Sequence, residues 1–168
     1  MQAAVKRKIF VSYHHGSDQA YYDTFSQSFQ DTYDVITDNS LEREVDSDDV
    51  EYVMRRIREN YIKGSSCTVV LVGKESYLRK YIDWEIKASL DLEHGLIGVQ
   101  LPTLPTNPQG RVSVPARLSD NISSGFALWL SWAAFTGSAQ ACQRFIETAN
   151  SKDKRLINNS RARRLRNG

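Results

Sequence analysis

Side chains that could do chemistry follow the predicted strands, at the point where each strand ends. The candidates in chain order are His14, His15, Asp18, Asp38, Ser76 and Tyr77. Ligands of open parallel sheets bind beyond the carboxyl ends of the strands, so we expect these side chains to border one crevice. Glu85 lies on the next predicted helix, near enough to its start to face the same crevice. Imidazole and carboxylate groups there could act as acids, bases or stabilisers of charge.

Each candidate also has a purely structural interpretation. His14 and His15 can be ordinary loop residues, and helix-borne glutamates such as Glu85 are mostly solvated. Asp38 opens an acidic stretch, residues 37–49, that can be a solvated connection or a border of the site. Aromatic residues at strand spacing usually pack, so we interpret Phe10 and Tyr13 as core or pocket wall.

Strand and helix patterns alternate along the first hundred residues. Short β-branched and aromatic runs predict strands at 8–13, 33–36, 67–72 and 96–101. Apolar positions at helical spacing predict helices at 19–32, 48–64 and 79–92, with Ser17 or Asp18 as the first cap and Gly95 following the last helix. Four prolines between 102 and 115 indicate a long surface loop, after which we expect an edge strand at 126–132 and a closing helix at 138–149. This order predicts an α/β fold, a flavodoxin-like doubly wound parallel sheet of about five strands with helices on both faces.

The net charge of +2 over 168 residues hides two unlike parts. Residues 151–168 carry seven basic side chains and one acid, a net charge of +6, whereas residues 1–150 carry 15 basic and 19 acidic side chains, a net charge of −4. We therefore predict an α/β domain over 1–150 and a basic C-terminal tail over 151–168. Such a tail can bind nucleic acid, but it is more often a solvated, partly disordered terminus or a helix end whose charges offset an acidic body. Nucleic acid is therefore not an expected partner.

Several function classes are disfavoured by what the sequence lacks. No apolar run approaches the roughly 18 residues of a membrane helix, and the apolar run after Lys8 is too short for a signal peptide. Cys67 and Cys142 fit no metal-ligand spacing, so we expect reduced thiols, a cytoplasmic protein and no bound metal.

Three familiar α/β activities are also disfavoured. The first turn has a single glycine, Gly16, where a dinucleotide-binding turn needs three, and it is a poor match to the phosphate loop of a flavodoxin. A phospho-acceptor receiver needs an aspartate at the end of the third strand, where this chain has Val72-Gly73. A P-loop is absent.

Two stretches resemble the Toll/interleukin-1 receptor (TIR) domain. Lys8-Ile9-Phe10-Val11-Ser12-Tyr13 is similar to the opening strand of that family, D-V-F-I-S-Y, and residues 70–86 are similar to its third strand and following helix, V-L-S-x-x-Y then W-x-x-x-E. Glu85 matches the glutamate, whereas Tyr81 stands where the family usually has tryptophan and Trp84 is adjacent to the glutamate instead. The resemblance covers about residues 7–101 and is strongest to the small bacterial TIR-like proteins of Thoeris antiphage defence.

The resemblance implies an NAD⁺ glycohydrolase or cyclase with Glu85 as the catalytic residue. It implies NAD⁺ as substrate rather than cofactor, a product that is ADP-ribose or a cyclic ADP-ribose-type signal, a homo-oligomer on activation and a separate effector that reads the signal. The expected substrate-binding residues are Phe10, Tyr13, His14, Asp38, Ser76, Tyr77 and Tyr81.

Two other functions remain open from the sequence. The chain can be a non-catalytic TIR module that acts by homotypic assembly. It can also be another N-glycosidic enzyme, such as a nucleoside deoxyribosyltransferase-like protein, which uses a glutamate on a similar sheet.

Overall fold

The computed structural model describes residues 6–37 and 50–168, so Asp38 and most of the acidic stretch lie outside the described residues. Its strands are β1 (Arg7–Ser12), β2 (Tyr33–Ile36), β3 (Ser65–Val72), β4 (Gly95–Gln100) and β5 (Leu128–Ser131). Its α-helices are α1 (His15–Phe29), α2 (Val50–Arg56), α3 (Lys80–Asp91), α4 (Ala116–Ser123), α5 (Trp132–Phe135) and α6 (Ala139–Asn150). A π-helical segment, Ile57–Ile62, continues α2, and short 3₁₀ turns lie at Ser76–Leu78 and Lys154–Leu156.

The five strands form one sheet in the order β2-β1-β3-β4-β5, and every pair is parallel. The predicted α/β fold class is therefore confirmed. Strand residues alternate between two apolar layers because successive side chains point to opposite faces. Ile9 and Val11 face the layer formed with α1 and α6, whereas Phe10 faces the layer formed with α2 and α3. No helix in 6–37 or 50–168 has the length and apolarity of a membrane span.

The cap of α3 differs from the predicted one. Glu93 takes the left-handed conformation (φ 57°), and the N–H groups of Glu93 and His94 bond back to the carbonyls of Leu90 and Ser89. This is a Schellman cap, and it leaves Gly95 to begin β4. Glycine is needed there for a different reason, since a Cβ atom would collide with the main chain at the end of α6.

Two further sequence predictions are corrected. Helix α1 begins at His15 rather than Gln19, because His14 occupies the cap position and Asp18 lies inside the first turn instead of capping it. Helix α4 was not predicted, since four nearby prolines indicated a continuous loop. Pro115 directly precedes it, a position where the missing N–H and fixed φ of proline suit a helix start.

Candidate functional site

Helix α3 holds Glu85 against the sheet. Tyr81, Glu85 and Ser89 are spaced four residues apart, so they share one face of the helix, and that face is buried against β1 and β3. The Ser89 hydroxyl is 2.6 Å from the Thr68 hydroxyl on β3 and donates to the main-chain carbonyl of Glu85 at 2.8 Å. The bond between Ser89 and Thr68 ties α3 to the sheet.

The carboxylate of Glu85 lies at the carboxyl end of β1. Its Oε1 accepts a hydrogen bond from Ser12 Oγ at 3.3 Å, and Ser12 is the last residue of that strand. The Glu85 residue is only 4% exposed. A carboxylate this far from bulk water interacts with a neighbouring charge more strongly than a solvated one does.

The strand order places this carboxylate at the point where the sheet topology reverses. The chain runs from β1 outward to β2 and then returns to the other side of β1 as β3. Ligands of doubly wound sheets bind in the crevice that this reversal opens. The loops that follow β1 and β3 therefore border the crevice, and the candidate residues His14 and Ser76 lie on them.

An aromatic group flanks Glu85 on the same helix. Tyr81 and Trp84 meet edge to face with ring centroids 5.4 Å apart, and both belong to the buried cluster that includes Phe10. The ammonium of Lys80 lies 5.0 Å from the centroid of the Tyr81 ring. The structure thus brings the predicted residues Phe10 and Tyr81 to the sheet face that carries Glu85.

The loop after β1 carries a second buried carboxylate. Asp18 is 2% exposed, and its Oδ2 has no hydrogen-bond partner within residues 6–37 and 50–168. Burial raises the pKa of this group above its usual value, while the neighbouring His14 opposes the shift. The carboxylate sits against the Cα of Gly73, where a Cβ atom would collide with it. The His14 ring lies 3.2 Å from the Glu75 carboxylate, which joins this loop to the one after β3.

The remaining predicted site residues make contacts of their own in the structure. The Tyr13 ring belongs to the apolar layer on the α1 side, where it stacks on His15 and Tyr22 and donates to Gln19. Ser76 is buried and bonds the main chain at Gly73 and Leu71, so its hydroxyl shapes the turn after β3. Tyr77 lines a cavity on the outer side of α3. Their roles toward a substrate stay predictions.

Ser12 and a buried ion pair were not singled out from the sequence. Ser12 lies two positions after Phe10 on β1, so the two side chains share one face of the sheet, and that spacing is the signal that could have found it. Arg117 is 0% exposed, and its guanidinium donates to both Asp83 oxygens at 2.9 and 3.4 Å. No local pattern indicates this pair, because its members lie 34 residues apart on different helices.

The C-terminal segment is docked against α3 and α4; we call residues 158–168 the strap. Trp84 Nε1 donates to the carbonyl of Arg164 at 2.7 Å, and the Arg164 N–H donates to Asp83 at 2.8 Å. Arg161 binds Asp120 through two hydrogen bonds, and Arg163 pairs with Glu51. Two of the basic side chains of the strap, Arg161 and Arg163, are therefore paired with acids of the body.

In the part of the chain that the structure describes, no group of three or more His, Cys, Asp or Glu side chains could hold a metal ion.

Comparison with known proteins identifies the family. No curated protein matches the sequence. A search of solved structures finds the TIR domains of the activated Roq1 resistosome that directly recognises the pathogen effector XopQ, at 13% identity and a TM-score of 0.40, covering 86% of this chain and 82% of that one. A family model described as "Thoeris protein ThsB, TIR-like domain" matches residues 10–106, which is more than half of the chain. The chain therefore belongs to the family of Thoeris ThsB TIR-like domains.

Proposed function

We propose that the protein cleaves the bond between nicotinamide and ribose in NAD⁺, with Glu85 as the catalytic residue. The observation that carries the proposal is the position of the Glu85 carboxylate, buried at the reversal point of the sheet and bonded to Ser12. The family membership of residues 10–106 supports it, because Glu85 lies within the matched stretch.

Cleavage of this N-glycosidic bond needs a stabilised cation. As the C1′–N bond breaks, its electron pair leaves with nicotinamide and positive charge develops on the ribose ring. A carboxylate within hydrogen-bond reach of the ribose hydroxyls stabilises that charge, as it does in glycosidases. Glu85 is suited to this role because its burial keeps water from screening the interaction.

A second carboxylate is not required for the leaving group. Nicotinamide carries the positive charge in NAD⁺ and departs as a neutral base, so no acid has to protonate it. One glutamate can then do what glycosidases do with two carboxyl groups. Attack by water at C1′ gives ADP-ribose and a proton, whereas attack by a nucleophilic atom of the same molecule gives a cyclic product.

The surroundings of Glu85 supply candidate substrate contacts. Phe10 and Tyr81 lie on the same face of the sheet, and His14 and Ser76 lie on the bordering loops. Tyr13, Asp38 and Tyr77 complete the predicted set. We further propose that NAD⁺ is a substrate and no other cofactor is needed, that the chain assembles with copies of itself on activation in the cytoplasm, and that a separate effector reads the product in antiphage defence.

The test is nicotinamide release from NAD⁺ by the purified full chain, assayed over a range of protein concentrations. We expect Glu85→Gln to lower the rate by at least about a hundredfold, since one stabilising group at the transition state is worth that much. The amide can still accept the Ser12 hydrogen bond, so the fold is preserved. The matched control is Glu147→Gln, which removes an exposed carboxylate on α6 and should leave the rate unchanged.

Three outcomes would overturn the proposal, and each would support a different conclusion. No nicotinamide release at any protein concentration, combined with self-association in a sizing experiment, would favour a non-catalytic assembly module. Release of free base from nucleosides but not of nicotinamide from NAD⁺ would favour a nucleoside-directed enzyme. Equal rates for the wild type and Glu85→Gln would remove Glu85 from the reaction.

A further inference from the structure

NAD⁺ carries two unlike charges. Its nicotinamide ring is positive, and its diphosphate is negative. The Glu85 carboxylate suits the ribose that becomes positive as nicotinamide leaves, whereas the diphosphate is best bound by a cation. The first residue of α3 supplies such a cation.

The ammonium of Lys80 is held by two aromatic rings. It lies 5.0 Å from the centroid of the Tyr81 ring and 5.6 Å from that of the Trp84 ring. Within residues 6–37 and 50–168, no carboxylate forms an ion pair with Lys80. Ring faces attract a cation through their quadrupole and carry no net charge, so they hold the ammonium without neutralising it.

The neighbouring cations are placed differently. His14, on the loop after β1, lies 3.2 Å from the Glu75 carboxylate. Arg79, which precedes α3, makes a contact of its own. Lys74 is exposed on the loop after β3, and no described ring or carboxylate holds it. Lys80 therefore combines a fixed position with a charge that no described acid offsets.

The place of Lys80 on α3 also favours an anion. Lys80 is half-buried at the first position of the helix. The N-terminal end of a helix carries a partial positive charge, so a cation there opposes the helix dipole. The charge of Lys80 thus does not stabilise α3. The ammonium and the helix end instead both attract an anion that lies beside them.

The spacing of Lys80 and Glu85 suits one NAD⁺ molecule. The two residues are five positions apart on α3, about 7.5 Å along the helix axis. Tyr81, whose ring lies against the Lys80 ammonium, shares its helix face with Glu85. In NAD⁺ one CH₂ group separates the nicotinamide ribose from the nearer phosphate, so a cation a short distance from the carboxylate can reach that phosphate.

We propose that Lys80 binds the diphosphate of NAD⁺ while Glu85 faces the ribose, an assignment that rests on the proposed function. Nicotinamide riboside has the same scissile bond but no diphosphate, so it lacks this contact. Lys80 is a substrate-binding residue and takes no part in bond cleavage. Its charge therefore affects KM rather than kcat, and it makes the enzyme select dinucleotides over nucleosides.

The first measurement is nicotinamide release from NAD⁺ and from nicotinamide riboside by the full chain. Lys80→Met keeps an unbranched apolar stem over the rings and removes the charge. We expect it to raise KM for NAD⁺ by about tenfold, because a hydrogen bond to a charged group is lost, and to leave kcat and the kinetics with nicotinamide riboside unchanged. Lys80→Arg keeps the charge and should retain the wild-type KM. The matched control is Lys74→Met, which removes an exposed lysine nearby and should alter neither reaction.

The second measurement does not need turnover. ADP-ribose keeps the diphosphate and has no nicotinamide bond to cleave, so its binding to the full chain can be measured by calorimetry. Lys80→Met should weaken ADP-ribose binding by about tenfold, and Lys74→Met should leave it unchanged.

The outcomes separate Lys80 from the catalytic proposal. Equal KM for NAD⁺ and equal affinity for ADP-ribose in the wild type and Lys80→Met would overturn the role of Lys80 and leave that of Glu85 intact. An equal rise in KM for NAD⁺ and nicotinamide riboside would also overturn it, because the charge would not act through the diphosphate. A wild type that binds ADP-ribose through Lys80 but releases no nicotinamide would overturn the catalytic proposal alone. A wild type that neither binds ADP-ribose nor cleaves NAD⁺ would overturn both.

Discussion

The indole N–H of Trp84 donates to the main-chain carbonyl of Arg164 at 2.7 Å, which joins residues 80 positions apart. Trp84 is the immediate neighbour of Glu85 on α3. The strap is thereby tied to the helix turn that carries the candidate catalytic carboxylate. A second tie lies one residue earlier, where Asp83 accepts from the N–H of Arg164 at 2.8 Å.

Removal of residues 161–168 of the strap should destabilise α3. A chain that ends at residue 160 loses the Arg164 bonds to Trp84 and Asp83 and the two bonds between Arg161 and Asp120. With roughly 1 kcal/mol net for each hydrogen bond, we expect the free energy of unfolding to fall by about 2–4 kcal/mol. Urea unfolding measures the loss, and hydrogen exchange should show faster exchange of the α3 amides. The control is Arg166→Gln, which changes an exposed arginine of the strap; if the shortened chain were as stable as this variant, the strap would not support the helix.

Breaking the buried ion pair of Arg117 and Asp83 should lower the free energy of unfolding more than any other mutation on the outer side of α3. Arg117→Met leaves the Asp83 carboxylate buried without its guanidinium, and an uncompensated buried charge costs about 3–5 kcal/mol. The double variant Arg117→Met with Asp83→Leu should recover part of that loss, because both charges are then gone. Urea unfolding of the two variants measures the difference.

The exposed ion pair of Arg155 and Asp153 is the control for the buried pair of Arg117 and Asp83. Solvated ion pairs contribute little to stability, so Asp153→Asn should leave the urea midpoint unchanged. If Arg117→Met with Asp83→Leu were less stable than Arg117→Met alone, the uncompensated charge of Asp83 would not explain the loss of stability in Arg117→Met.

Local sequence patterns were sufficient to predict the sheet. The run Cys67–Val72 is apolar except for Thr68 because β3 is covered on both faces, and that burial is visible in composition alone. The position of Glu85 at the carboxyl edge followed from the order of strands and helices, which fixes where a helix returns over a parallel sheet.

Contacts between distant parts of the chain could not be predicted in this way. Arg117 reads as one more surface arginine until α4 is known to pack beside α3, and α4 itself was hidden by the prolines before it. The strap has no periodic apolar pattern, because it is held by hydrogen bonds and ion pairs to groups far away in sequence. The sequence therefore indicated the charge of this segment but not its docked position.

Loss of the Ser12 hydroxyl should reduce the proposed activity. In Ser12→Ala the Glu85 carboxylate loses the donor that holds Oε1 at the end of β1. A hydrogen bond to a charged group is worth about 1.5–3 kcal/mol, so we expect nicotinamide release to slow by roughly tenfold to a hundredfold. The assay is the initial rate with saturating NAD⁺. The matched control is Ser66→Ala on β3, whose hydroxyl bonds the carbonyl of Lys8 at the other end of the strands. An unchanged rate in Ser12→Ala would show that this bond does not position the carboxylate.

The buried carboxylate of Asp18 should make stability depend on pH. Burial raises its pKa in the folded state above the unfolded value of about 3.9, so the folded protein holds this proton at a pH where the unfolded chain has released it. The contribution of Asp18 to stability is therefore full below the unfolded pKa and is lost as pH rises through the folded pKa. At pH 7 the charged group is a net cost, since the benefit of an acid in the first turn of α1, about 0.3–1 kcal/mol, is smaller than the cost of burying a carboxylate whose Oδ2 has no hydrogen-bond partner among the described residues. We expect Asp18→Asn to raise the free energy of unfolding by about 1–2 kcal/mol at pH 7 and to have no effect at pH 3, measured by urea unfolding at both values.

The control is Asp31→Asn, at an exposed position, which should change stability at neither pH. A wild type that is more stable than Asp18→Asn at pH 7 would mean that the carboxylate is stabilised in its charged form.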